Sequence, residues 1–517
     1  MKLLGQDLEF ERLPGALAAH RAVADDAGLL AFAAAVKESG GRLVALWGSD
    51  ERDRGAGFGL HVAFAVAEGL ALTSLALDAS RPEYSDLAAI FPAANRLQRA
   101  AFDLLGIRAR GADHRPWLRH ANWPSDFYPL RRDCDASRQF PAQNEDYPFV
   151  RVEGEGVHEI AVGPIHASVI EPGHFRFSVV GEKVLRLEER MGWTHKGVEK
   201  RFEQFQLAEG HRLAGRICGD STVAYAWAYC LAAESLSGCQ VSPRALWLRA
   251  LLLERERVAN HLGDLGALGN DAALSFGLAQ FMRLKEDWLR LSAELFGHRL
   301  TMDAIVPGGV AVELSDLGGQ RIREQCDAIE RETHILKNIY DEHAGLQDRF
   351  LTTGRLDPAL ASELSVSGVN GRASSQSWDL RTQNPIAPYD ALDTQIASHR
   401  SGDVAARVLV RFDEVFESLR LIRRIIGRLP RGELAAPLPS AREGGGEAMA
   451  IGWIEGWRGD VLVALTAAAD GGIRRCHIHD PSWHVWPALE HAIMGNIVPD
   501  FPLINKSFNL AYSGVDL

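Results

Sequence analysis

The stretch Arg216 to Glu234, RICGDSTVAYAWAYCLAAE, opens on a lone thiol and runs straight into a small, apolar, helix-compatible segment. A redox-metal site built from thiolates needs cysteines in pairs, because one helical turn or tight loop presents residues i and i+3 to the same ion. Cys218 has Ser221 at that position. A second candidate is His195 in GWTHKGVEK. It falls at a strand-to-helix turn that can aim an imidazole into a cleft, and its near-neutral pKa suits proton transfer. The bland alternative is a surface-turn histidine, one of 18 in the chain. Glu254, Arg257 and His261 form a third group, sharing one helix face beside Val258 and Leu262. Ionisable groups on an apolar face must be paired or shift their pKa, so this group is either a buried ion-pair network or a proton path. Asp271, in GNDAAL at the end of the same helix region, is a further carboxylate that could serve His195.

Other chemistry leaves no mark. Phosphate-cradling GxGxxG and GxxxxGK[ST] are absent, as are HExxH, Cys/His zinc spacings and the GxSxG elbow of serine hydrolases. A net charge of −12 argues against a nucleic-acid surface, since phosphate neutralisation needs clustered Lys and Arg. Cysteines at 134, 218, 230, 239, 326 and 476 never form CxxC and read as reduced thiols, mostly small core residues, in a cytosolic compartment. The chain starts without a basic-then-apolar leader, and no window approaches the ~18 uncharged apolar residues of a membrane span.

At 517 residues, 46% hydrophobic and 24% charged, the chain can bury roughly three domains' worth of core. Residues 1 to about 130 read as a small α+β unit: Ala16 to Val36 as helix, Gly41 to Trp47 and Leu60 to Val66 as strands, and Pro92 to Leu105 as a helix stopped by Gly106. Residues 131 to 150 are polar and aperiodic, a linker. Alternation over Gly156 to Leu187 predicts two or three strands, after which some 230 residues turn helical. Ser242-Pro243 is a helix start, and Gln320 to His343 and Asp403 to Ile426 are long amphipathic helices. Leu434 to Glu447, with its prolines and three consecutive glycines, is a loop, and Ala448 to His479 reads as strands turning at Asp470-Gly471-Gly472. The aromatic tail beyond Asp480 reads as a packed, non-helical cover, filling the volume of a lost cluster or forming a docking surface.

Several stretches taken together resemble one family. GPIH (Gly163 to His166), Glu171 to Glu203, Glu254 to Leu274 and Gly402 to Ile422 are similar to the large subunit shared by energy-converting membrane [NiFe] hydrogenases and complex I. Tyr84 to Ile107 and Asn122 to Asp133 resemble the small complex I subunit that docks on it, and the two are fused in this order in the formate hydrogenlyase type. In the hydrogenases RxCGxC followed by xxxH, together with DPCxxC, holds nickel and iron. Here the first motif reads Arg216-Ile217-Cys218-Gly219-Asp220-Ser221 with Tyr225 at the histidine position, and the second reads Asp480-Pro481-Ser482-Trp483-His484-Val485. Three of four thiolate positions are Ser221, Ser482 and Val485. Serine hydroxyls are hardly ionised at neutral pH and valine is no ligand, so no Ni–Fe centre is expected. The complex I side of the resemblance carries a quinone-site His and Asp onto His195 and Asp271, whereas the position of its quinone-binding Tyr holds Gly219.

The resemblance implies an α+β chain, a small N-terminal α+β domain (1–130), a linker (131–150) and a large, mainly helical hydrogenase-like domain (151–517) with peripheral strands at its start and end. It implies a subunit of a membrane-associated oxidoreductase complex, peripheral on the cytoplasmic face. Its partners would be an iron–sulfur small subunit and antiporter-like membrane subunits. No cofactor is expected on this chain, with an iron–sulfur cluster in the neighbour and a quinone as one candidate acceptor. His195 and Asp271 would be the proton-handling pair, with Glu254 and His261 behind them. A silent scaffold is the competing reading, and an active [NiFe] hydrogenase a third. A cleft beside His195 favours the first, and solid packing there favours the scaffold.

Overall fold

In the computed structural model, which describes residues 1–135, 137–141, 143–144, 146–166, 170–439 and 448–517, the Ala-rich N-terminal stretch divides. Ala19–Val23 is a strand (β1), and the helix begins only at Asp26, with the Asp25 carboxylate accepting from Gly28 N at 2.7 Å (α1, Asp26–Glu38). Ala-rich composition favours helix, but β1 pairs in parallel with Gly69–Leu77, and that pairing overrides the propensity. Arg42–Asp50 (β2), Phe58–Val66 (β3) and Gly69–Leu77 (β4) complete the sheet, whose order is Glu11–Arg12, β1, β4, β3, β2. Ala94–Leu105 (α2) packs against it and ends where Gly106 takes a positive φ of 77°.

Residues 131–150 hold no helix or strand among those described. Val157–Val162 (β5), His174–Val180 (β6) and Lys183–Arg190 (β7) form an antiparallel sheet. The helical body follows: Thr222–Ser237 (α3), Pro243–Asp271 (α4), Ser275–Phe296 (α5), Asp316–Glu342 (α6) and Val404–Arg428 (α7). Side-chain caps set three of these starts, with Ser242 accepting from Ala245 N, Ser315 from Gly318 N and Asp403 from Ala406 N. The predicted loop Leu434 to Glu447 lies partly outside the described residues, because 440–447 are not among them.

Met449–Glu455 (β8), Asp460–Ala467 (β9) and Ile473–His479 (β10) make the last sheet. Helix α3 lies directly on it: a Cβ at Gly452 would stand 1.8 Å from Ala228 O. The sheet's other face meets the N-terminal sheet, with Val44, Trp47, Ala63 and Leu72 packed against Ile451, Trp453, Leu462 and Ala464. Polar pins cross the same junction: Arg42 Nη2 to Asp460 Oδ2 at 2.7 Å, Arg475 Nε to Gly48 O at 3.0 Å and His484 Nε2 to Val44 O at 2.8 Å.

The tail is helical, against the expectation of a non-helical cover. Ser482–Ala492 (α8), Phe501–Phe508 (α9) and Ser513–Asp516 (α10) all form. Pro502 sits in a first turn, where its missing N–H costs nothing. Pro487 lies inside α8, where buried Trp483, Trp486 and Leu489 compensate.

Buried neutral histidines make this assembly acid-sensitive. Burial pulls His61 down to about 3 and His484 to about 4. Such groups gain protons on unfolding, so their contribution is whole above the unfolded value near 6.5 and is lost as pH falls below it. Between pH 7 and 5 each histidine should cost about 2 kcal/mol of stability. Denaturant unfolding at the two pH values, compared with His61→Gln and His484→Gln, checks this as a flattened pH dependence.

Candidate functional site

Cys218 ends the loop before a short 3-10 turn, Gly219–Ser221, that leads into α3. Its Sγ lies 2.9 Å from Asp220 Oδ1, and the Ser221 hydroxyl donates to the same oxygen at 3.0 Å. Arg458, in the turn between β8 and β9, clamps Asp220 with Nη1 to Oδ1 at 2.7 Å and Nη2 to Oδ2 at 2.6 Å. Nη1 of the same guanidinium is 3.2 Å from Ser221 Oγ and 3.9 Å from Cys218 Sγ. Trp457 Nε1 donates to Ser221 Oγ at 3.0 Å. Burial works against ionising Asp220, but Arg458 outweighs it and holds the carboxyl at about 2. Burial, followed by the Asp220 charge, pushes the Cys218 thiol well above its usual range.

The second motif stretch, Asp480 to Val485, is equally engaged. Ser482 Oγ accepts from Ala511 N at 2.9 Å, and Val485 is buried. Tyr225 donates its hydroxyl to Asp480, whose other oxygen accepts from Ser482 N at 2.8 Å. The tail crosses this pair so closely that a Cβ at Gly514 would lie 2.7 Å from Tyr225 Oη.

His195 occupies the turn after β7, stacked on Trp123 at 5.4 Å. Its Nδ1 lies 2.6 Å from Asp516 O; a carbonyl only accepts, so Nδ1 carries the proton and Nε2 stays available. The Asp516 carboxylate fastens the same turn, accepting from Gly192 N at 2.8 Å and Thr194 N at 2.9 Å. Beside the imidazole runs a narrow, mainly apolar cleft of about 40 Å³, walled by Trp47, Leu97, Leu118, Trp483, Val515 and Leu517, between the N-terminal unit and the tail. Glu199, His477 and Arg475 line it too. His477 Nδ1 is 2.8 Å and Arg475 Nη2 3.0 Å from Glu199. Against the burial cost, Arg475 and then His477 hold Glu199 at about 2. His477 Nε2 and Trp483 Nε1 are buried with no partner among the described residues. Sequence reasoning missed Arg458 and His477, which are brought in from distant strands; Glu199 stood unremarked inside GWTHKGVEK, and Trp483 was read only as part of the aromatic tail. The only local signal was an Arg and a Glu inside otherwise apolar or turn-like runs.

The other predicted residues lie elsewhere. Glu254 is fully buried and accepts from Arg381 Nη1 at 3.1 Å, Tyr389 Oη at 2.6 Å and Ser418 Oγ at 2.6 Å. His261 Nε2 pairs with Glu414 at 2.8 Å, and Arg257 bridges the two carboxylates at 3.5 and 3.4 Å. Arg372 closes the network on Glu414 at 2.7 Å and Glu455 at 2.8 Å. The group thus sits within a buried ion-pair network. Asp271 sits half-buried at the end of α4, where burial raises its carboxyl. Neither it, Glu254 nor His261 lines the cleft beside His195.

A small sheet unit thus packs on a helical body, and a carboxylate–guanidinium cluster forms where α3, the β8–β9 turn and the tail meet. The respiratory-chain NADH dehydrogenase 30 Kd subunit model matches residues 22–140, and the 49 Kd subunit model matches residues 271–444. Formate hydrogenlyase subunit 5 of Escherichia coli (strain K12) is 30% identical over 93% of this chain and 85% of its own length. An NADH-quinone oxidoreductase subunit of Bacteroides thetaiotaomicron is 27% identical over 91% of this chain and 93% of that protein. Among solved structures, a chain of the membrane-bound sulfane sulfur reductase, an archaeal respiratory membrane complex, matches with a TM-score of 0.66 at 25% identity, covering 70% of this chain and 99% of that one. The chain therefore belongs to the hydrogenase and complex I family of fused 30 Kd-type and 49 Kd-type complex subunits.

Proposed function

We propose that this chain is the fused large subunit of a membrane-associated, energy-converting complex in which the nickel–iron centre has been lost. In this reading it receives electrons from an iron–sulfur cluster of a neighbouring small subunit and couples that event to an antiporter-like membrane arm. The observation that carries it is the guanidinium of Arg458, held 3.2 Å from Ser221 Oγ and 3.9 Å from Cys218 Sγ. A fixed cation beside the one thiol and the Ser221 hydroxyl, with Ser482 and Val485 at the other two positions, does not fit a metal centre that needs four thiolates. No described helix is long and apolar enough to cross a membrane, so association would run through partner subunits, on the cytoplasmic face. A quinone is one candidate acceptor, and the cleft beside His195 supports a proton-handling role for that imidazole, with Asp271 farther along the path.

Metal analysis of the chain purified with its complex is expected to find iron, from the neighbour, and no nickel above background; one nickel per chain would restore the hydrogenase reading. In the same complex His195→Ala should cut electron-transfer activity roughly 10²-fold, the usual weight of a positioned proton-transfer group. The scaffold reading is favoured by one fact, that Asp271, Glu254 and His261 all stand away from the cleft. Unchanged activity in His195→Ala would select it.

A further inference from the structure

A second cavity, of about 20 Å³, lies under the Gly219–Asp220 turn between α4 and α5, walled by Asp220, Arg255, Glu256, Asn260, Lys285 and Ser292, with Arg299 at its rim. Arg255 is 2% exposed and has no carboxylate partner among the described residues. Its Nε and Nη2 reach Ser292 Oγ at 3.2 and 2.8 Å, Nη2 also donates to Trp288 O at 3.0 Å and Gln325 Oε1 at 3.3 Å, and the guanidinium stacks on Trp288 at 4.1 Å. Nη1 is buried with no acceptor among the described residues. Lys285 packs against Gly263 so closely that a Cβ there would lie 2.7 Å from Nζ, and its ammonium makes no hydrogen bond or ion pair with a described residue.

The two carboxylates in the wall are used elsewhere. Both Asp220 oxygens face Arg458, at 2.7 and 2.6 Å. Glu256 caps α3, accepting from Val223 N at 2.7 Å and Ala224 N at 3.3 Å, and burial pushes its carboxyl up to about 8. Arg299 is neutralised outside by Glu286 at 2.7 Å. Asp264, whose charge also acts on Lys285, is taken by Arg411 at 2.9 Å and Lys506 at 3.1 Å. Two cations therefore face one small void with no ion-pair partner of their own among the described residues, and a buried charge left unpaired is costly.

We propose that this cavity binds a small monovalent inorganic anion between the Arg255 guanidinium and the Lys285 ammonium. A water would satisfy Nη1 but leave both charges uncompensated. The void exceeds the roughly 10–15 Å³ that one water-sized sphere needs, and it excludes tetrahedral oxyanions such as phosphate. Asp220, ionised and in the same wall, opposes an anion, and the Arg255 and Lys285 charges together outweigh it.

Bromide is the probe. Thermal unfolding of the full chain at pH 7 and fixed ionic strength, with sodium bromide replacing sodium gluconate, should raise Tm along a saturating curve. Lys285→Met, at a partly exposed position where the thioether keeps the aliphatic packing, should shift the bromide midpoint at least tenfold. Crystals grown in bromide should show one anomalous peak within hydrogen-bond distance of Arg255 Nη1. An equal bromide response in the wild type and Lys285→Met, or a cavity with no anomalous peak, overturns the proposal and leaves water as the occupant.

Discussion

Replacing Glu414 by Gln should remove about 3–5 kcal/mol of folding stability, the usual cost of breaking a buried ion pair from one side. Glu414 is 1% exposed and is the node on which Arg372, Arg257 and His261 converge, at 2.7, 3.4 and 2.8 Å. Burial opposes its ionisation, yet Arg372 first, and then His261 and Arg257, hold the carboxyl well below its usual range. A glutamine keeps the shape and removes the charge, so two fully buried guanidiniums lose their shared counter-ion while nothing shrinks. Native domains have only about 5–15 kcal/mol in hand, so the variant should fold marginally. The check is the denaturant midpoint of the wild type against Glu414→Gln. A second comparison, Arg372→Met with Glu414→Gln, should recover part of the loss, because the Arg372 charge is no longer left facing a neutral glutamine, although Glu455 and Arg257 each still lose one partner. A single variant within about 1 kcal/mol of wild type would mean that the network is solvated.

The other large effect is at Arg458. Arg458→Met should destabilise the chain by about 2 kcal/mol at pH 7, a figure discounted because the Asp220 side chain is 35% exposed. The pH dependence is more telling than the size. In the wild type Asp220 is held at about 2, so its contribution is complete above the unfolded value near 3.8 and is lost as pH falls toward 2. Without the guanidinium that depression disappears. The difference between the two proteins should therefore shrink steadily below pH 4. The substitution would also free Ser221 and Cys218 from the cation beside them. Unfolding curves at pH 7, 5 and 3.5 measure this, and a gap that stays constant across the range would exclude Asp220 as the group responsible.

Glu414 and Arg458 differ in how far the sequence announced them. The face Glu254–Arg257–His261 was legible, because helical spacing alone puts ionisable groups beside Val258 and Leu262 and so demands pairing. Their partners were not, since Glu414, Arg372 and Arg381 arrive from α7 and from two short helices, Gly368–Ala373 and Leu380–Gln383, over 100 residues away. In the same way, that Ser221, Ser482 and Val485 are not thiols could be read from the sequence, but the cation beside Ser221 could not. Arg458 belongs to the turn between two strands, and only their pairing against α3 carries it to Asp220.

Local order followed the same division. Caps at Ser242, Ser315 and Asp403 and the stop at Gly106 act over a few residues, so the helices they bound were recoverable from sequence. Two stretches were decided from outside. Ala19–Val23 became a strand because β4 offers it a parallel edge, and the proline-bearing tail became helical because Trp483, Trp486 and Phe508 find a core to fill. Residue types at fixed spacing were enough for the family, the order of its units and the absence of paired thiolates, since none of these depends on what lies across the core. Packing decided which charges meet, that Asp271, Glu254 and His261 do not line the cleft beside His195, and that a cleft and a cationic cavity exist. Those features depend on burial between distant segments, where desolvation makes each unpaired group costly enough to fix its neighbour.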